Sequence, residues 1–236
     1  MRIVVCHLTR MLEGRICVAG IDMETRQHVR PVFQRERMDA FMLARNGGPF
    51  EMASIVRLPD ARPVGRPPEV EDHAFDWMRA SLEQPVEGGR FWRMLERVAG
   101  GSVEGLFGPT LTREPSGSCW APEGVGRASL GVLLPPARPQ LQLEEIRGRQ
   151  RVRLSLREGG HSLRLSVTDI RFFEADLATP SRAAVESVAA RLCAGVEVIL
   201  GLGLTRPYAR SDQEAPRHWL QVTAIHLRDD PAWRLG

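Results

Sequence analysis

Apolar and polar side chains alternate through residues 151–170, RVRLSLREGGHSLRLSVTDI, on both sides of a Gly-Gly pair. Successive residues of a strand point to opposite faces, and glycine takes the positive φ that a tight hairpin turn requires. With Gly159 and Gly160 at the turn, the pattern predicts a hairpin in which Val152 faces Val167, Leu154 faces Leu165 and Leu156 faces Leu163. The other face then sets Arg151 against Thr168, Arg153 against Ser166, Ser155 against Arg164 and Arg157 against Ser162. No two arginines stand directly opposite, so one face is apolar and the other basic without like-charge pairs.

Upstream, β-rich runs occur at 2–9, 15–22, 28–33 and 52–58. Pro31 has no N–H for a ladder, which predicts that 28–33 lies on an edge or ends there. Residues 34–50 are mixed and finish in the loop Asn46-Gly47-Gly48-Pro49. After a Pro-rich linker, 69–96 is expected to be helical, with Trp77, Met78 and Leu82 on one face. Beyond a break at Pro85, Gly88 and Gly89, Phe91, Trp92, Leu95 and Val98 share another. Residues 99–127 are predicted to be an ordered loop pinned by Phe107 and Trp120. The run SLGVLL at 129–134 is expected to close the first domain before Pro135, Pro136 and Pro139 mark a boundary.

The second half reads more simply. A strand at 140–146 precedes the hairpin, and Thr179-Pro180-Ser181 starts a helix that runs to Gly195. Val185, Val188, Ala189, Leu192 and Val196 form its apolar stripe, and strands follow at 196–204 and 218–227. Three strands, a helix and two strands is the order of the OB-fold, a five-stranded Greek-key barrel. The chain is therefore expected to be mainly β with some α. It would form two OB-like barrels, each with a helical insertion, over 1–134 and 135–236.

Composition narrows the chemistry. The net charge of +3 permits an acidic partner such as nucleic acid without requiring one. All 32 basic residues are arginine, so no lysine exists for a P-loop, a Schiff base or a kinase-type phosphate contact. Cys6, Cys17, Cys119 and Cys193 form no CxxC pair and have no histidine at ligand spacing along the chain, which argues against zinc and against a disulfide framework. No cofactor is expected. The opening MRIVVCHLTR has too short an apolar run for a signal peptide, and Glu197 breaks the longest apolar stretch, so a cytoplasmic, reducing setting and no membrane contact are expected.

RIVV near the start, CVAGID followed by HVRPV, SLGVLL at mid-chain, and LGLTRPY with HWLQVTAIH near the end resemble the prokaryotic dual OB-containing domain family. The resemblance spans about residues 1–228. It implies two fused OB-type barrels with no established chemistry, and fold alone does not fix function.

The candidate site is Arg151, Arg153, Arg157 and Arg164 on the basic hairpin face, joined by Arg206, Tyr208 and Trp219. Strands two and three of OB folds commonly bind oligonucleotides, and arginine supplies both phosphate contacts and planar stacking. Trp219, Gln221 and Thr223 are expected to point outward if Leu220, Val222 and Ala224 point in. A solvated barrel wall gives the same charge pattern without any ligand. Glu69, Glu71, Asp72, His73 and Asp76 are the densest acidic group, yet acids before a helix commonly cap it, and their spacing is not that of a paired-metal site. His7, His28, His161, His218 and His226 accompany no nucleophile motif, so no catalytic residue is assigned. The expectation is a non-enzymatic module that binds single-stranded or structured DNA or RNA. The alternative is a protein-interaction scaffold within a larger complex.

Overall fold

The computed structural model describes residues 1–33 and 38–233. Part of the mixed 34–50 stretch and the last three residues lie outside this set. The architecture is two β-sheets with few helices. The first sheet contains β1 (Arg2–Arg10), β2 (Ile16–Asp22), β3 (His28–Val32), β4 (Ser54–Arg57), β5 (Arg62–Pro63), β6 (Asp72–Ala74) and β7 (Ser81–Pro85), in the order β5-β6-β3-β2-β1-β4-β7. β3 runs parallel to β6, and every other neighbouring pair is antiparallel. β3 is thus an inner strand, not an edge. Pro31 nevertheless lies beyond Val29, the last residue paired with β2, so its missing N–H breaks no ladder on that side.

Two helices and three strands then follow. They are α1 (Gly88–Val98), α2 (Val103–Phe107), β8 (Thr112–Arg113), β9 (Cys119–Pro122) and β10 (Leu130–Leu133). The Glu87 carboxylate caps α1, accepting from the N–H groups of Gly89 (2.7 Å) and Arg90 (2.8 Å). Phe91, Trp92 and Leu95 are buried, as the spacing predicts. The remainder of 69–96 is not helical. It holds β6, a 3-10 turn at Trp77–Arg79 and β7, and leaves Trp77, Met78 and Leu82 exposed. Apolar residues three to five apart carry no helix here because Pro85 and the β4 edge hold the backbone extended.

The second sheet adds β11 (Gln140–Ile146), β12 (Arg149–Glu158), β13 (His161–Val167), α3 (Arg182–Cys193), β14 (Val198–Leu204) and β15 (Arg217–Leu227). Its order is β10-β14-β15-β13-β12-β11, with β13 parallel to β15. β10 therefore does not close the first sheet, as expected for SLGVLL, but pairs with β14 in the second. The expected loop at 99–127 contains α2 and the β8–β9 pair, and β9 continues onto β15. Phe107 is buried, whereas Trp120 is half-buried. Among the described residues each ladder runs from one end strand to the other without returning, so two closed barrels are not what the hydrogen bonds form.

The sheets share a seam. β1 is buried from Ile3 to Thr9 because one side meets its own core and the other meets β15. Val132, Ile170, Leu177, Ile199 and Ala224 of the second half join the core of the first. Gly201 is required at this contact, since a Cβ there would lie 2.8 Å from the His7 ring. His226 lies between the carbonyl oxygens of Cys6 and Pro231, each 3.0 Å away. Burial, then Arg171, pushes its pKa down to about 4, so the neutral ring donates to one of them. No helix among the described residues is long and apolar enough to cross a membrane.

Candidate nucleic-acid interface

The hairpin forms in the expected register. Arg153 pairs with Ser166, Leu154 with Leu165, Ser155 with Arg164, Leu156 with Leu163 and Arg157 with Ser162. Gly159 and Gly160 make the turn with φ of 55° and 80°. Val152, Leu154, Leu156, Leu163, Leu165 and Val167 are buried, which leaves the arginines on the outer face. Arg151 and Arg157 are exposed. Arg164 is exposed as well, but Glu144 of β11 holds it through both carboxylate oxygens, so its charge is matched.

Arg153 occupies the middle of this face. It lies between Gln142 of β11 and Ser166 of β13, and its Nη1 donates to Ser166 Oγ (2.8 Å). Gln221 of β15 is the next residue across, beside Ser166. Burial pushes the Arg153 pKa down, and the nearby guanidiniums of Arg164, Arg151 and Arg210 add to that, with Glu144 opposing. A half-desolvated cation with Arg151, Arg164 and Arg210 nearby, their charge offset in part by Glu144, is a position where an anion is stabilised.

The β14–β15 connection completes the surface. Arg210 stacks over Trp219 with its guanidinium carbon 3.2 Å from the ring centroid, and Arg217 lies 4.0 Å over Trp120. Glu114 is 3.5 Å from Arg210 and 3.7 Å from Arg217. Tyr208 is 47% exposed, its ring 6.3 Å from Trp219. Trp219 itself does not point into solvent as expected. It is 4% exposed, because β9 pairs along this end of β15 and Arg210 covers its ring. Thr223 is likewise buried, turned against His7 of the first sheet. The exposed aromatic surface of the site is therefore Tyr208, with Trp219 as its support.

Arg206 belongs elsewhere. Its Nη2 donates to Asp72 Oδ2 (2.7 Å), and Nη1 lies 2.9 Å from Glu69 Oε1. Burial works against its charge, yet Asp72 and Glu69 together raise its pKa. Asp72 also accepts from Arg30 Nε (2.5 Å), so the three form an ionic seam between the sheets. Glu71 accepts from the N–H groups of Ser129 (2.9 Å) and Leu130 (3.1 Å) and from Ser129 Oγ (2.7 Å). Asp76 caps the 3-10 turn through the Met78 N–H. The acidic group is thus engaged by arginines and backbone donors of its own chain.

Arg210 and Arg217 are not singled out by the sequence, and Trp120 is expected there only to pin a loop, not to belong to the candidate site. Arg217 was within reach of a pattern argument, since it lies two residues before Trp219 on one strand. Arg210 and Trp120 arrive through a loop and through β9, and no periodicity carries either.

The profile of a family described as dual OB-containing domain matches residues 1–225. Among curated proteins none matches the chain. A solved structure described as a murine DNA-binding protein bound with double-stranded DNA aligns over 96% of each chain, at 8% identity and a TM-score of 0.32. A likeness that distant carries no argument about ligands.

Proposed function

Because the chain belongs to the dual OB-containing domain family, we propose that each sheet is an OB-type unit and that the second binds single-stranded or structured nucleic acid. The paths β1-β2-β3-β6-β5 and β11-β12-β13-β15-β14 both follow the five-strand OB order, and in each the third and fifth strands are parallel. The first unit lies within 1–134 and the second is built on 135–236, with β9 and β10 crossing over to extend it. The Greek-key closure is taken over by added strands, β4 beside β1 and β10 beside β14.

The observation that carries the binding proposal is the Arg153 environment on strands two and three, flanked by the β14–β15 loop. OB folds commonly use that face and those loops for oligonucleotides. Arg151, Arg153 and Arg157 contact phosphates, and Tyr208 stacks a base. Fluorescence anisotropy with labelled DNA and RNA oligomers tests this at about 50 and 200 mM salt. Affinity should fall with salt, the log–log slope losing roughly 0.7 for each phosphate contact removed. Arg153→Gln should weaken binding about tenfold, and Tyr208→Ala by a similar factor. Absence of binding at the lower salt would end the proposal.

A second observation favours protein interaction. Phe41, Trp77, Met78 and Leu82 are exposed together and line a groove of about 460 Å³ with Met42 and Pro49. The Phe41 and Trp77 rings meet edge to face at 5.8 Å. Exposed apolar surface gathered in one place commonly marks a partner site. Met78→Glu should then abolish co-purification of a stoichiometric protein partner while leaving oligonucleotide affinity unchanged. Retention of the partner by that variant would count against the groove.

A further inference from the structure

Cys6 and His7 are neighbours on β1, and in an unbroken strand their side chains would point to opposite faces. The β1–β2 register is broken between them. Val5 pairs with Gly20 and His7 with Ala19, which leaves Cys6 as the extra residue of a bulge. Bulges re-aim side chains in this way. Here the bulge brings one donor atom from each of Cys6, His7 and His28 within 4.8 Å of one another. His28 opens β3, two strands away from β1, and its ring meets the His7 ring edge to face at 5.6 Å. Spacing along the chain predicts no metal site, because it does not register a contact made across two strands and a bulge.

We propose that Cys6, His7 and His28 bind a borderline-soft divalent transition metal, with zinc the ion that fits, at the seam between the two sheets. The second observation is an unmet hydrogen-bonding need. His7 is 1% exposed, and its Nε2 is buried without a partner among the described residues, as is Nε2 of His28. Buried polar atoms are nearly always satisfied, and a pair left open in one cluster calls for a ligand. His7 Nδ1 lies 2.7 Å from Thr223 Oγ1. With the proton on Nδ1 and donated to that hydroxyl, the Nε2 lone pair is left available to a ligand, as in metal sites where the second ring nitrogen is held by an outer partner.

One thiolate and two imidazoles suit zinc and exclude calcium and magnesium, which take oxygen ligands. Bond lengths of a tetrahedral zinc site put donors roughly 3.3–3.6 Å apart, so from a spread within 4.8 Å the cluster contracts by up to about 1.5 Å. A fourth position remains for water. On binding, the Cys6 S–H bond is lost, the sulfur keeps the electron pair for the metal, and the proton leaves to solvent. The charge of nearby Arg30 is matched by Asp72, so it does not repel the ion unopposed. Through Thr223, and through the Cys6 carbonyl beside His226, a bound ion would tie β1 and β3 to β15.

Cobalt(II) titration of the full chain, freed of metal by chelation, tests the site. One equivalent should give a thiolate-to-cobalt charge-transfer band in the near ultraviolet and tetrahedral bands in the visible. Zinc should abolish both. Cys6→Ala should remove the charge-transfer band, and His28→Ala should weaken cobalt affinity at least tenfold. Thr223→Val should weaken it about tenfold by freeing the His7 ring. Circular dichroism establishes that each variant is folded, and X-ray absorption of the zinc-loaded wild type must show one sulfur and two imidazole nitrogens. Absence of the charge-transfer band in the wild type overturns the proposal. So does its survival in Cys6→Ala, or its loss in a Cys193→Ser control.

Discussion

Replacing Asp169 with alanine is expected to lower the unfolding free energy by about 3–5 kcal/mol, the cost of breaking a buried ion pair from one side. Asp169 is fully buried and grips Arg171 through both oxygens, at 3.0 Å to Nε and 2.7 Å to Nη2. The same carboxylate accepts from the backbone N–H of Ile225 on β15 (3.0 Å) and of Arg171 (3.1 Å). Arg171 in turn donates to the Ile225 carbonyl (2.9 Å) and lies 4.4 Å over the Trp233 ring. Alanine would leave a guanidinium that is 8% exposed without its counter-charge and would orphan a strand N–H. Adding Arg171→Met should restore a large part of the loss, because removing both charges costs far less than removing one. Urea unfolding of the two single variants and the double measures this. A loss below about 1 kcal/mol in Asp169→Ala would show that the pair does not bear on the fold.

The pair was invisible in the sequence, and its context shows why. Asp169 follows the hairpin in a short polar turn, and its counterpart is two residues away in a 3-10 segment, so no period draws attention to either. What was legible were strands long enough to state their own register. Residues 140–146 and the 151–170 hairpin carry enough alternation to fix which side is buried, and Leu154, Leu156, Leu163 and Leu165 are where it places them. β5, β6 and β7 are two to five residues long, carry Pro63 and Pro85, and acquire strand geometry from their neighbours. The run at Leu130–Leu133 reads as a strand, but four buried residues do not specify a partner. Trp219 was misplaced for a related reason. Alternation identifies two faces but not what lies against the one opposite the core, and here β9 and Arg210 cover it. Of the candidate site, the hairpin arginines can be read directly and Arg217 lies within reach of the β15 alternation, while Arg210 depends on where a loop comes to rest.

Stability should also fall as the pH drops from 6.5 toward 5, above the range in which ordinary carboxylates titrate. Three imidazoles at the seam account for this. Burial holds His7 far below its usual range, with His28, His226 and Arg30 adding to the effect, and burial brings His28 down to about 4. Burial, with Arg171 adding to it and Asp169 opposing, brings His226 to about 4 as well. In the unfolded chain each titrates near 6.5, so between the two values the unfolded state binds more protons and gains free energy as acid is added. Their contribution is complete above about pH 6.5 and is lost as the pH approaches the folded-state values. For His226 the loss between pH 6.5 and 5 is about 2 kcal/mol. His28, which keeps part of its surface in solvent, adds less. Urea midpoints at pH 7, 6 and 5 in chelator should therefore fall stepwise, and His226→Gln should flatten the decline while lowering the pH 7 value. A midpoint that holds constant from pH 7 to 5 would mean that the seam opens to admit protons at no cost. It would then be a soft contact rather than the rigid junction that both the Arg153 face and the Cys6 cluster depend on for their positions.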